Sequence, residues 1–318
     1  MVVVVIVALS RAAHSADMSE FADWSLRGAN GALQLPGRLF VPPEATSEPR
    51  SRRPLIVFLH GSGEAGTDNA NQVNGNIDSL LAEAKRRGAY LYAPQTTTDE
   101  WDGKTLTDNL MVMIDRAVVD ENVDPGRLYV TGLSSGGGGV WNMLSRYPRR
   151  FAAALSISAD TPAPDFVAGR LLGIPICAFH SRDDDTVPVG EDRNTVARVF
   201  AAAGVATPQY PSTNSNQYFL ISDPNLASHR TYNDRVRQQH ETMSFAITST
   251  PLDLIYNELP NGGHGIWPAV YNSPAVYDWL FSHAVPNPCQ ATVAGDVACV
   301  SRREFRMWHP RVCGIRVR

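Results

Sequence analysis

Residues 132–136 read Gly132-Leu133-Ser134-Ser135-Gly136, a serine with a glycine two positions before it and another two positions after. A serine hydroxyl is a weak nucleophile. It gains strength beside a base and beside donors that stabilise the oxyanion its attack creates. The G-x-S-x-G spacing suits a sharp strand-to-helix turn, because bulk at either glycine would collide with the turn that lifts the serine off the sheet edge. The flanks agree with this, Arg127–Thr131 reading as a strand and Val140–Tyr147 as a helix. The N–H of Ser135 then lies at a helix N-terminus, where negative charge is favoured. Gly137, Gly138 and Gly139 weaken the helix start and predict close packing or room for a substrate.

Acyl chemistry at Ser134 needs a second oxyanion donor, an acid and a base. Leu59-His60-Gly61-Ser62-Gly63-Glu64 ends another apolar run, and an H-G-x-G turn exposes backbone N–H groups. The N–H of Ser62 is the expected donor, with Gly61 and Gly63 as alternatives. The acid is expected after the nucleophile and the base last. Behind the apolar run that ends at Phe179 stand three consecutive carboxylates, Asp183, Asp184 and Asp185, which spacing alone does not separate. Of the eight histidines, His264 lies on a glycine-flanked loop, Asn261-Gly262-Gly263-His264-Gly265, directly after the last expected strand. His229 and His240 sit in a polar segment, while His283 and His309 follow the last elements.

The elements that must position these residues alternate along the chain. Arg38–Val41, Pro54–His60, Ala89–Ala93, Arg127–Thr131, Ala152–Ser158, Ile174–Phe179 and Leu252–Glu258 read as strands. Ile77–Arg87, Val140–Tyr147, Asp192–Ala203 and Val276–His283 read as helices, and Leu106, Leu110, Met113, Ile114 and Ala117 share one helical face. Val123-Asp124-Pro125-Gly126 reads as a turn. Such alternation predicts an α/β protein with a mostly parallel sheet covered by helices. Residues 207–251 form a polar insertion suited to a lid or pocket rim, and the pattern is complete by residue 286.

Composition bounds the rest. Of 318 residues 43% are apolar and 19% charged, enough for a large core and too apolar for wholesale disorder. The net charge of −4 gives no electrostatic footing for nucleic acid, and no apolar run is long enough to span a membrane. The apolar start, followed by Ala13-His14-Ser15-Ala16, reads as a signal peptide over 1–16 and predicts a secreted or periplasmic protein, though without a basic first segment. Residues 287–318 form a basic tail, with six arginines against Asp296 and Glu304. Cys177 reads as a small buried hydrophobe, whereas Cys289, Cys299 and Cys313 lie in the tail with no zinc spacing.

The stretches 54–64, 123–137, 180–188 and 262–267, leading into Tyr277-Asp278-Trp279-Leu280, resemble the α/β-hydrolase superfamily. More narrowly they resemble secreted bacterial esterases of the polyhydroxybutyrate-depolymerase, feruloyl-esterase and "predicted peptidase" type. The resemblance implies an α/β-hydrolase fold and a triad of Ser134, Asp184 and His264. Asp184 is chosen because it stands four residues after His180 in an Asp-x-x-Val-Pro sequence. It further implies an oxyanion hole from Ser62 and Ser135, and Trp141 and Trp267 as substrate-binding aromatics. Hydrolysis of small-molecule or polymer esters is the expected reaction, with neither metal nor organic cofactor. A serine peptidase of the same fold is the alternative, and an inactive binding module a further one.

Overall fold

The computed structural model describes residues 18–206, 243–249, 252–259 and 261–285. The signal-peptide reading of 1–16, residues 207–242 of the insertion, and the tail with Cys289, Cys299 and Cys313 lie outside them.

A nine-stranded sheet runs through the molecule in the order β1-β4-β6-β5-β7-β8-β9-β11-β10. Its strands are β1 (Phe21–Asp23), β4 (Gly37–Phe40), β5 (Arg53–Leu59), β6 (Tyr90–Pro94), β7 (Val123–Leu133), β8 (Ala153–Ile157), β9 (Ile176–Ser181), β10 (Met243–Ser249) and β11 (Leu252–Leu259). β2 (Leu26–Arg27) and β3 (Leu33–Leu35) form a separate small ribbon. The six strands from β6 to β11 in that order are mutually parallel, and antiparallel pairs occur only at the two edges.

Helices cover both faces: α1 (Pro43–Ser47), α2 (Asp78–Arg87), α3 (Lys104–Asp120), α4 (Ser135–Arg146), α5 (Gly190–Ala202), α6 (Trp267–Tyr271) and α7 (Pro274–Phe281). The side-chain period of two sorts β5 between them. Leu55, Val57 and Leu59 pack in a core with Met113, Val140, Leu144 and Phe200 from α3, α4 and α5. Ile56 and Phe58 pack on the other face with Leu80, Val276 and Leu280 from α2 and α7. A strand apolar on both faces is what a parallel sheet buried on both sides requires.

Three elements depart from the sequence reading. The turn at 123–126 is taken up inside β7 as an irregularity: Arg53 pairs with Val123, and the next pair is Leu55 with Leu128. Asp124 Oδ1 accepts the Gly126 N–H at 2.9 Å, so the turn chemistry persists within the strand. The helix after Ser134 begins at Ser135 rather than Val140, so four glycines are helical in spite of their poor propensity. Tertiary packing wins because there is no room for anything larger: a Cβ on Gly137 would stand 2.8 Å from the Ile157 carbonyl and one on Gly139 2.5 Å from Trp101. The third departure is β10, which lies inside the expected polar insertion and closes the sheet as an antiparallel edge.

Among the described residues no helix is long and apolar enough to cross a membrane. Cys177 is buried, its sulfur accepting from the Asn257 side-chain amide at 3.4 Å. One buried ion pair ties α5 to the sheet: Glu258 on β11, fully buried, accepts two bonds from Arg193, at 2.6 and 2.7 Å, and stands 3.5 Å from Arg182. Breaking a buried pair leaves an uncompensated charge. Arg193→Ala is therefore expected to lower stability by about 3 kcal/mol, at the low end of the usual range because Arg182 remains. A urea-unfolding midpoint unchanged from the parent protein would contradict this.

Candidate active site

The C-terminal ends of β5, β7, β8, β9 and β11 converge on Ser134. This serine joins β7 to α4 with φ 55° and ψ −124°, a conformation a non-glycine residue adopts only when its surroundings enforce it. The enforcement is steric. A Cβ on Gly132 would lie 2.2 Å from the Gly136 carbonyl oxygen, and one on Gly136 would lie 2.0 Å from that of Leu59. The turn thus presses its backbone against the end of β5, and Ser134 N–H is anchored on the Ile157 carbonyl of β8 at 3.0 Å.

His264 reaches the serine from the loop between β11 and α6. Its Nε2 stands 2.9 Å from Ser134 Oγ and its Nδ1 2.8 Å from Asp184 Oδ2. A carboxylate can only accept, so Nδ1 carries the proton and Nε2 is left to accept from the serine hydroxyl. The loop is pinned from two sides. Gly262 and Gly263, at φ 136° and 63°, donate their N–H groups to Asp183 at 3.3 and 2.8 Å. Ser158, itself at φ 48°, donates its hydroxyl to the His264 carbonyl at 3.0 Å.

The three carboxylates now separate by environment. Asp184 is buried. Its Oδ1 accepts the Thr186 and Val187 N–H groups at 3.0 and 2.9 Å, and its Oδ2 faces His264 and, at 3.2 Å, His180. Burial alone would raise its pKa. The hydrogen bonds from the two imidazoles and the backbone outweigh burial and hold it at about 2. Asp183 is spent on the histidine loop, and Asp185 is exposed.

Ser62 opens a single 3₁₀ turn, Ser62–Glu64, and Ser135 opens α4, so both N–H groups belong to first turns, whose donors have no intrahelical acceptor. Gly61 lies against Ser134: a Cβ there would be 3.4 Å from Ser134 Cβ. His60 holds this loop in place. Its Nε2 accepts the Thr96 N–H at 3.1 Å, which leaves Nδ1–H to donate to the Gly61 carbonyl at 2.6 Å. Burial outweighs the bond to Gly61 and lowers its pKa to about 4, so the ring is neutral.

The two tryptophans part company. Trp267 is half-buried, edge-on to His264 with ring centres 5.4 Å apart, and donates its indole N–H to Asn76 Oδ1 at 2.9 Å. Asn76 in turn donates to Glu64, so one wall of the site is a polar chain. Trp141 is wholly buried and donates its indole N–H to Asp192 at 3.2 Å, which corrects the expectation that it lines a pocket. Sequence reasoning assigned no role to Asn76, Ser158, Asp192 or His60. Only His60 lay within a recognised motif, and the others have partners more than 50 residues away in sequence or on a neighbouring loop.

A mostly parallel sheet with an elbow serine and a histidine loop at its C-terminal edge is the α/β-hydrolase fold, and this chain has it. No protein-family model matches the chain. It is 29% identical over 158 residues to a poly(3-hydroxybutyrate) depolymerase of Ralstonia pickettii, a match covering 44% of this chain and 31% of that protein. It is 27% identical over 162 residues to NocK of Nocardia uniformis subsp. tsuyamanensis, which carries an esterase name, covering 48% of this chain and 45% of that one. The matches thus span less than half the length of these curated relatives. A solved structure described as a thermostable esterase aligns with a TM-score of 0.61 at 25% identity, covering 84% of this chain and 64% of its own.

Two outcomes are expected from this geometry. Gly136→Ala should yield no folded, soluble protein, since its methyl would overlap backbone rather than a movable side chain. A soluble variant with native circular dichroism would contradict the close packing. Asp184, whose folded pKa lies below the 3.8 of a free carboxyl, stabilises the fold above that value and loses its contribution as pH falls towards about 2. The stability gap between the parent and Asp184→Asn, read from urea unfolding at a series of pH values, should therefore shrink as pH falls below about 4.

Proposed function

We propose that this protein is a serine hydrolase that cleaves carboxylic esters through an acyl-enzyme intermediate. The observation that carries the reading is the continuous line from Ser134 Oγ through His264 to Asp184, at 2.9 and 2.8 Å. In this reading His264 Nε2 takes the hydroxyl proton as Ser134 attacks the carbonyl carbon. Asp184 keeps the imidazole in the Nδ1–H tautomer and balances the imidazolium that forms. The N–H groups of Ser62 and Ser135 receive the oxyanion. His264 then gives its proton to the departing alcohol and activates the water that releases the acyl group. Trp267, packed edge-on to His264, forms part of the surface a substrate meets.

The polyester depolymerase, the esterase-named NocK and the thermostable esterase support ester hydrolysis as the reaction. The name of the Ralstonia relative makes polyester fragments a natural substrate class to test beside small esters. Esters are favoured over the amide alternative because amide cleavage must also protonate a poor leaving group. An apolar N-terminus with small residues at 13–16 supports export of the protein to meet such substrates.

The decisive experiment is a panel of p-nitrophenyl acyl esters, feruloyl esters, hydroxyalkanoate oligomers and matched anilides. Esters are expected to be turned over with kcat/KM several orders of magnitude above the anilides. An anilide within tenfold of its ester would give the peptidase reading preference. Ser134→Ala should abolish turnover, a loss on the order of 10⁶, and covalent labelling by a fluorophosphonate should disappear with it. Asp184→Asn should cost roughly 10⁴-fold, and Asp185→Ala should leave the rate unchanged. Residual activity of a tenth in Ser134→Ala would remove it as the nucleophile.

A further inference from the structure

Behind Asp184 the hydrogen bonds do not end. His180, the next-to-last residue of β9, is fully buried with its Nε2 3.2 Å from Asp184 Oδ2 and 2.9 Å from the Val187 carbonyl. Its Nδ1 lies 3.2 Å from Oδ2 of Asp192, a wholly buried residue of α5 whose Oδ1 accepts the Trp141 indole N–H at 3.2 Å. None of these contacts involves an atom of the Ser134–His264 pair. The line therefore runs Ser134, His264, Asp184, His180, Asp192, Trp141, from the nucleophile into the core of α4 and α5.

Counting donors fixes the protons. The Val187 carbonyl can only accept, so His180 Nε2 carries a hydrogen, shared between that carbonyl and Asp184. The Nδ1 of His180 faces a carboxylate oxygen, and two bare lone pairs cannot face each other at 3.2 Å in a buried site, so a second proton lies between His180 and Asp192. Trp141 only donates and brings no charge. The other charged groups nearby are accounted for: Glu258, opposite His180 across β9 and β11, is occupied by Arg193 with Arg182 beside it, and burial beside Glu100 pushes the Asp160 carboxyl beyond β8 up to about 8, so it is largely uncharged near neutrality. Burial also raises the Asp192 carboxyl, against the hydrogen bond from His180 that lowers it. A carboxylate at each ring nitrogen, Asp184 at Nε2 and Asp192 at Nδ1, favours the cation on His180.

We propose that His180 is a positioning residue for Asp184: as a buried imidazolium clamped between Asp184 and Asp192, it fixes the acid against His264 and partly offsets the negative charge that His264 faces. The inference rests on the reading of Ser134, Asp184 and His264 as the triad. Its chemical content is that Asp184 Oδ2 accepts from two imidazoles at once, while its Oδ1 is filled by two backbone N–H groups. No lone pair then remains free to let the carboxylate rotate or take up a proton. Burial opposes charge on His180, yet the hydrogen bonds to Asp184 and Asp192 outweigh it and raise the pKa to about 10. The cation persists throughout the range in which a serine hydrolase works.

Two measurements test this. The first uses the unaltered protein, labelled with ¹⁵N at histidine. The His180 ring should show both nitrogens protonated at pH 8, and a neutral ring there overturns the proposal. The second is the pH dependence of Ser134 labelling by a fluorophosphonate in Asp192→Asn, which keeps the shape and a hydrogen bond to Nδ1 but removes the counter-ion, so that His180 becomes neutral. Loss of the nearer positive end of the pair should move the acid limb of the labelling rate to higher pH by about one unit. His180→Gln with Asp192→Asn, which removes the His180–Asp192 ion pair as a unit, should show the same displacement and serves if the single variant does not fold. A lower rate with an unmoved acid limb would mean that the network is structural only, and would overturn the proposal. Absence of labelling in the parent protein at every pH would instead remove the hydrolase reading, with the histidine spectrum still reporting on the clamp.

Discussion

The structure depends first on a backbone collision narrowly avoided. At the elbow the chain leaves β7, turns through Ser134 and enters α4 so tightly that Gly136 lies against the end of β5 and Gly132 against Gly136. Only hydrogen fits at those two positions. The positive φ of Ser134 is the local consequence, and it is sustained because the strands on either side, β5 and β8, are themselves fixed by cores on both faces of the sheet. A strained serine turn is tolerable only on such a scaffold.

Around that point the loops are held by polar contacts that carry no chemistry of their own. A neutral His60 bridges the loop bearing Ser62 to the Thr96 backbone, Asp183 gathers the two glycine N–H groups before His264, and Ser158 holds the His264 carbonyl. Each is a side chain just past a strand end that reaches another loop at the same edge of the sheet. Catalytic geometry must hold to fractions of an ångström, and a histidine on a glycine-rich loop would not keep it without these ties.

Electrostatically the site is graded. Asp184 is held ionised by donors, His60 is held neutral by burial, and His180 is held charged between two acids. Two histidines at corresponding strand ends thus differ in charge, one neutral and one cationic, and the difference is made by what faces their ring nitrogens: a backbone N–H and a carbonyl for His60, two carboxylates and a carbonyl for His180.

Much of this was legible in the linear sequence. The parallel sheet follows from apolar runs too short for helices and too apolar for a solvated face. Ser134 and His264 follow from glycine spacing and from the order of motifs, because steric need at a turn leaves a local signature. The carboxylates at 183–185 show where such signatures end, since three identical residues in a row differ only in where the fold sends them: one to a glycine loop, one to two imidazoles, one to solvent. Trp141 shows it again, since an aromatic in the elbow helix reads the same whether it faces the cleft or, as here, Asp192 on α5. The helical glycines and β10 likewise obey packing and pairing partners far away in the chain rather than their own propensities. The sequence by itself determined which residues can do chemistry and the class of sheet that presents them. Which carboxylate meets His264 and which histidine lies between two carboxylates is settled by the fold, because burial and hydrogen-bond partners exist only once distant segments meet.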